Sequence, residues 1–176
     1  MVIDTIAAMS NEISRLLAGL ADTDPSKRAA AASELSQLGP QARVAAIPLL
    51  GAIANADDEV SEWVATALEE LGPPAASDLK ALTVMLVDST GDTAYWAATL
   101  IGRLEASAAP AVDALVGTLD AANETSVRQR AAWALGKIGP AAAAARGSLQ
   151  QAAAGDDPRL ARMAQRALDG LGDDLP

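Results

Sequence analysis

Ser126-Val127-Arg128-Gln129-Arg130-Ala131-Ala132-Trp133-Ala134-Leu135-Gly136-Lys137-Ile138-Gly139 is the stretch on which the fold turns. Val127, Ala131, Leu135 and Ile138 fall at i, i+4, i+8 and i+11, which places them on one face of a 3.6-residue helix. Gly139 can take the left-handed C-cap conformation and Pro140 forbids continuation, so the helix has a defined end. The ending recurs: Leu38-Gly39-Pro40, Leu71-Gly72-Pro73, Leu104-Glu105, Ile138-Gly139-Pro140 and Leu171-Gly172 are spaced 33, 33, 34 and 33 residues apart. Two further columns keep the same register, Leu35/Leu68/Ile101/Leu135/Leu168 and Ala31/Val64/Ala97/Ala131/Ala164. A period held through four intervals across the chain is the signature of a repeat architecture.

Each unit reads as an outer helix followed by an inner one. Asp24-Pro25 and Asp157-Pro158 open two inner helices, the carboxylate accepting orphan amide hydrogens and the proline fitting the first turn. Outer helices centre on Leu16-Leu17-Leu20, Leu49-Leu50-Ile53, Leu82-Met85-Leu86, Leu115-Val116-Leu119 and Leu149-Ala153, with Pro48 kinking the second or marking its start. Residues 1–12 either lengthen the first outer helix or form a loose cap. Gln165 stands where other repeats have Ala32, Ala65, Ala98 and Ala132, which suits a terminal repeat facing water.

Composition agrees. Hydrophobic residues make up 51% of the 176, yet there is no Phe, one Tyr and three Trp, so the core must be Ala, Leu, Val and Ile packed helix on helix. A formal net charge of -10 opposes binding to phosphate backbones and anionic lipid heads. Cysteine is absent, which removes disulfides and thiolate chemistry. The first twenty residues lack the basic leader and long apolar run of a signal peptide, and no segment approaches a membrane span, so the expected location is cytoplasmic.

The inner-helix segments resemble the bacterial HEAT-like repeat that also occurs in phycobilisome lyases, in which Asp-Pro-x-Val-Arg is followed by Ala-Ala-x-Ala-Leu-Gly-x-Ile-Gly. Residues 126–139 are the best copy, and Asp24-Pro25-Ser26-Lys27-Arg28 through Leu38-Gly39 matches well. Repeat two has Ser61 in place of the Arg, repeat three has Thr93-Ala94 and lacks the final Gly, and repeat five has Leu160-Ala161. The tetratricopeptide Trp-Leu-Gly-Tyr pattern and the ankyrin Thr-Pro-Leu-His motif are missing. The resemblance implies an all-α fold, a right-handed α-solenoid of about five HEAT-like antiparallel helix pairs. These form a single domain over residues 1–176, with repeats at about 13–39, 41–72, 75–105, 110–139 and 141–172. Arg28 and Arg128 occupy the Arg column that resembles a structural ladder between repeats.

The unusual residues fall off the buried stripe. Trp63 and Trp96 share a column that Arg130 and Met163 continue, Trp133 aligns with Thr66, Thr99 and Arg166, and Tyr95 adjoins Trp96. In HEAT-like stacks the inner helices line a concave surface, so the resemblance implies an aromatic groove. Two readings stand: rigid aromatics flanked by arginine are interface hot-spot chemistry, or the rings simply cover Ala-rich seams between repeats. Glu59, Glu62, Glu69 and Glu70 make repeat two acidic, whereas Arg128, Arg130, Lys137, Arg159, Arg162 and Arg166 make repeats four and five basic. Such a gradient could orient a peptide or a second copy of the chain, or be two solvated faces. The candidate partner-binding set is Trp63, Tyr95, Trp96, Trp133, Arg130, Met163, Glu62, Glu70, Arg103 and Arg166.

Catalytic sites do not emerge. Asp57-Asp58-Glu59 and Asp156-Asp157 begin inner helices, where acids cap amides and complement the dipole. With no histidine there is no imidazole base or ligand, no glycine-rich phosphate loop is present, and no cofactor or metal is expected. The iron sites of deoxyhypusine hydroxylase, a related scaffold, need His-Glu motifs that cannot occur here. HEAT-like DNA glycosylases use a cationic groove, which the net charge opposes. The expectation is a non-catalytic protein- or peptide-binding scaffold, possible as a homodimer, with a bilin lyase or chaperone-like subunit as the alternative and a nucleic-acid binder behind it.

Overall fold

The computed structural model describes residues 2–172 apart from Asn55 and Asn123, with side chains described from Ser10 onward. Among these residues there are α-helices and 3-10 turns and no strand. The chain divides into two compact units, residues 1–74 and 75–176, the boundary falling between the second and third repeats.

The first unit holds two helix pairs: α1 (Val2–Leu20) with α2 (Pro25–Leu38), and α3 (Ala46–Ile53) with α4 (Asp58–Glu70). Inner helices α2 and α4 lie side by side. Residues 2–12 lengthen α1 rather than forming a separate cap. Asp24 caps α2 by accepting from the Ser26 amide, with Pro25 in the first turn, and Asp57 caps α4 by accepting from the Val60 amide. Pro48 is the third residue of α3 and marks its start, where its missing N–H costs nothing. Leu16, Leu35, Leu49, Leu50, Val60, Val64 and Leu68 are buried, whereas Leu38 is half-buried. Arg28 donates to the carbonyls of Asp22 and Thr23 and pairs with Asp57 at 3.5 Å, tying the first inner helix to the start of the second.

The second unit holds three pairs: α5 (Leu79–Asp88) with α6 (Gly91–Arg103), α7 (Val112–Ala121) with α8 (Thr125–Ile138), and α9 (Arg146–Ala153) with α10 (Pro158–Leu171). Inner helices α6, α8 and α10 pack in that order, as do outer helices α5, α7 and α9. The layers seal over Leu82, Leu100, Ile101, Leu115, Leu119, Leu135 and Leu149, all fully buried. The inner helices approach closely because small residues line their contact. A Cβ on Gly136 would stand 2.9 Å from the Ala167 Cα, and one on Gly102 3.0 Å from the Ala134 Cα. Arg128 donates through Nε to the Leu119 carbonyl at 2.8 Å, fastening α8 to the end of α7.

The repeat endings take positive φ: Gly39 at 52°, Gly72 at 72°, Gly139 at 70° and Gly172 at 77°. At Gly39 and Gly139 ψ is -130° and -140°, outside the left-handed helical well expected from the sequence and in territory that suits only glycine. A 3-10 turn (Gly39–Ala45 and Gly139–Ala145) then carries the chain into the next outer helix. Repeat three lacks the glycine, and Glu105 adopts φ 49° in its place, the one non-glycine residue of positive φ among those described.

A candidate partner-binding face on the inner helices

On α6 and α8 of the second unit, Arg130 is the organising side chain. Its guanidinium carbon lies 4.4 Å over the Tyr95 ring and 5.0 Å from the Trp133 ring centroid, and its Nη2 donates to the Tyr95 hydroxyl. The group is thus stacked between two aromatics. Trp96 meets Tyr95 edge-on, with centroids 5.6 Å apart and planes at 87°. Trp133 lies against α6 where Gly102 leaves room, since a Cβ there would come within 2.5 Å of Trp133 Cζ3.

Register placed all four aromatic rings off the buried stripe; the structure corrects this for Trp96, which is only 8% exposed. Helix α6 is buried on almost every side from Thr93 to Gly102. A residue column fixes where a Cα sits and leaves open how neighbouring rings fold over it. Tyr95 and Trp133 are half-buried, and Trp63, on α4 of the first unit, is exposed at 38%. Trp96 therefore supports the face from below.

Beyond Trp133 a shallow pocket of about 200 Å³ opens between α8 and α10. Ala132, Gly136 and Ala167 form its floor, Trp133 and Met163 its apolar walls, and Lys137 and Arg166 its rim. Three expected residues, Trp133, Met163 and Arg166, meet here. In the sequence Lys137 belongs only to the basic region of repeats four and five; the small-residue seam Ala132/Gly136 is the signal for the floor, because small residues let two helices approach closely. A cleft of about 320 Å³ between α5, α6, α7 and α8 is larger, but Glu124 is its single charged lining residue and no aromatic lines it. The pocket with convergent cations and a Trp wall is the better binding geometry.

The remaining expected residues are placed as follows. Arg103 sits half-buried in the last turn of α6 and has an interaction partner. Glu62 and Glu70 are exposed on α4. Lys137, Arg159, Arg162 and Arg166 are exposed, and no ion pair engages them among the described residues. Asp157 accepts from the amides of Arg159 and Leu160, and the Leu160 bond foremost holds its carboxyl below the usual range, in keeping with a helix cap. Among the described residues no cluster of acidic groups could hold a metal ion, and no helix is long and apolar enough to cross a membrane.

Successive helix pairs whose inner helices pack side by side define a helical-repeat protein. Residues 13–93, a little under half of the chain, match the family model described as HEAT repeats, which supports the HEAT-like character of the repeats. No curated protein sequence matches it. Among solved structures, a designed armadillo repeat protein in complex with the peptide (KR)4 is similar at TM-score 0.64 and 17% identity, over 91% of this chain and 82% of that one. The complex of CpcE and CpcF of phycocyanin lyase from Nostoc sp. PCC7120 is similar at TM-score 0.62 and 19% identity, over 90% and 98%. These likenesses are of fold, which is an all-α solenoid of repeated helices.

Proposed function

We propose that this chain is a non-catalytic protein-binding module whose inner-helix face in residues 125–172 captures a segment of a partner. The observation that carries the reading is the pocket between α8 and α10, where Trp133 and Met163 offer an apolar seat and Lys137 and Arg166 offer charge at its edge. Tyr95, Arg130 and Trp96 act beneath it, holding Trp133 in place through the stacked guanidinium. A preformed wall of this kind loses little entropy on binding, which favours affinity. The likeness to a designed repeat protein that holds a peptide is consistent with such use of the fold.

The test is affinity capture with wild type and the Met163→Ala/Arg166→Glu variant in parallel. Both positions lie on the surface half of α10, so helical circular dichroism should be unchanged while capture is lost. Undiminished capture by the variant rejects this face. The likeness to phycocyanin lyase supports a second reading, a subunit that cradles a bilin. Mixing with a linear tetrapyrrole checks it: under the protein-binding reading the visible spectrum stays that of free pigment, and a red-shifted, sharpened band would favour the lyase-like role.

A further inference from the structure

The two ends of the sequence carry opposite chemistry. Residues 1–74 hold eleven Asp and Glu against four Lys and Arg, whereas residues 125–172 hold seven Lys and Arg against three acids. Helix α4 is the extreme case, with Asp58, Glu59, Glu62, Glu69 and Glu70 and no basic residue. Among these acids stands Trp63, one of four exposed large hydrophobic residues among those described and the only aromatic one of the four. Glu59 and Glu70, four residues before it and seven after, share its helix face, a stripe about 16 Å long at 1.5 Å per residue. Neither glutamate has a cationic partner among the described residues.

An indole held in water between two carboxylates is what the α8–α10 pocket would receive: an aromatic ring to lie against Trp133 and Met163, and anions to meet Lys137 and Arg166. We infer that the occupant of this pocket is a second copy of the same chain, which presents α4 with Trp63 as the anchor. The inference rests on the binding face proposed above and names its partner. Because donor and acceptor are different surfaces, the contact is heterologous, and copies add head to tail as open chains or a closed ring rather than as a symmetric pair. The net charge of -10 opposes association at long range, but physiological salt screens that repulsion beyond ~8 Å and leaves the contacting pairs.

Sedimentation velocity from micromolar to millimolar protein tests this. Wild type should rise in mass with concentration past the dimer, and less so at high salt. Trp63→Ala, which removes the donor, and Lys137→Glu/Arg166→Glu, which reverses the acceptor, should each weaken association at least ~10-fold. Glu59→Lys/Glu70→Lys serves as a second donor variant, and circular dichroism checks that all stay folded. Mixing Trp63→Ala with Lys137→Glu/Arg166→Glu restores one wild-type junction and should give a 1:1 heterodimer that grows no further. A wild type that stays monomeric throughout, or a mixture that stays monomeric, overturns the inference. Loss of capture by Met163→Ala/Arg166→Glu alongside a monomeric wild type would leave the binding face standing with a different partner.

Discussion

Replacing Arg130 by Ala isolates what holds the aromatic face together. The side chain makes two cation–π contacts, at 4.4 Å and 5.0 Å, worth ~0.5–1 kcal/mol each in a half-buried setting. It also gives one hydrogen bond to the Tyr95 hydroxyl, worth ~1 kcal/mol net. Alanine's higher helix propensity returns only a few tenths of a kcal/mol. The expected loss is therefore about 2 kcal/mol, which at a urea m-value of ~2 kcal/mol/M lowers the unfolding midpoint by about 1 M. Circular dichroism in urea measures it. Tyr95→Phe should cost about half as much, since it removes the hydrogen bond and keeps the stacked ring. Arg130→Lys should recover less than half of the loss, because an ammonium lacks the planar group that stacks. The Arg130→Ala/Tyr95→Phe cycle must be non-additive if the two groups interact as described. A midpoint shift for Arg130→Ala below ~0.2 M, or a strictly additive cycle, would refute the reasoning and leave the guanidinium a surface group.

Other perturbations separate backbone geometry from packing. Glu105→Gly should raise stability by ~0.5–1 kcal/mol in the same urea assay, since relief of positive φ exceeds the entropy glycine adds to the unfolded chain. Gly136→Ala should cost ~1 kcal/mol despite better helix propensity, because its Cβ meets the α10 backbone at 2.9 Å, whereas Gly51→Ala, with nothing within 4 Å, should gain up to ~1 kcal/mol. Asp157 and Asp22 have carboxyls held below 3.8, mainly by the amides of Leu160 and Asp24 respectively, so their contribution is full above that pH and fades as pH falls through the lowered folded value. Asp157→Asn still caps α10 but no longer titrates, so the variant's acid titration followed by circular dichroism should show a shallower loss of stability below pH 3.8 than wild type.

The helices could be read almost entirely from spacing. The i, i+4, i+8, i+11 stripe from Val127 to Ile138, the Asp-Pro openings and the glycine endings are local facts, set by 3.6-residue periodicity, orphan amides and positive φ, and each appears in the structure where the sequence put it. The structural role of Arg28 and Arg128 was equally legible, because both stand in one column at the start of an inner helix. What only tertiary structure decided is how the rings lie. Register gave Trp63 and Trp96 the same address, yet one is exposed and the other buried, because burial depends on side-chain direction and on neighbours from other helices. The seating of Arg130 against Tyr95, the packing of Trp133 over Gly102 and the pocket beside it arise from contacts across about 30 residues or more. A repeat period fixes which helices become neighbours, but the fit of one large side chain against another is set only when those helices meet.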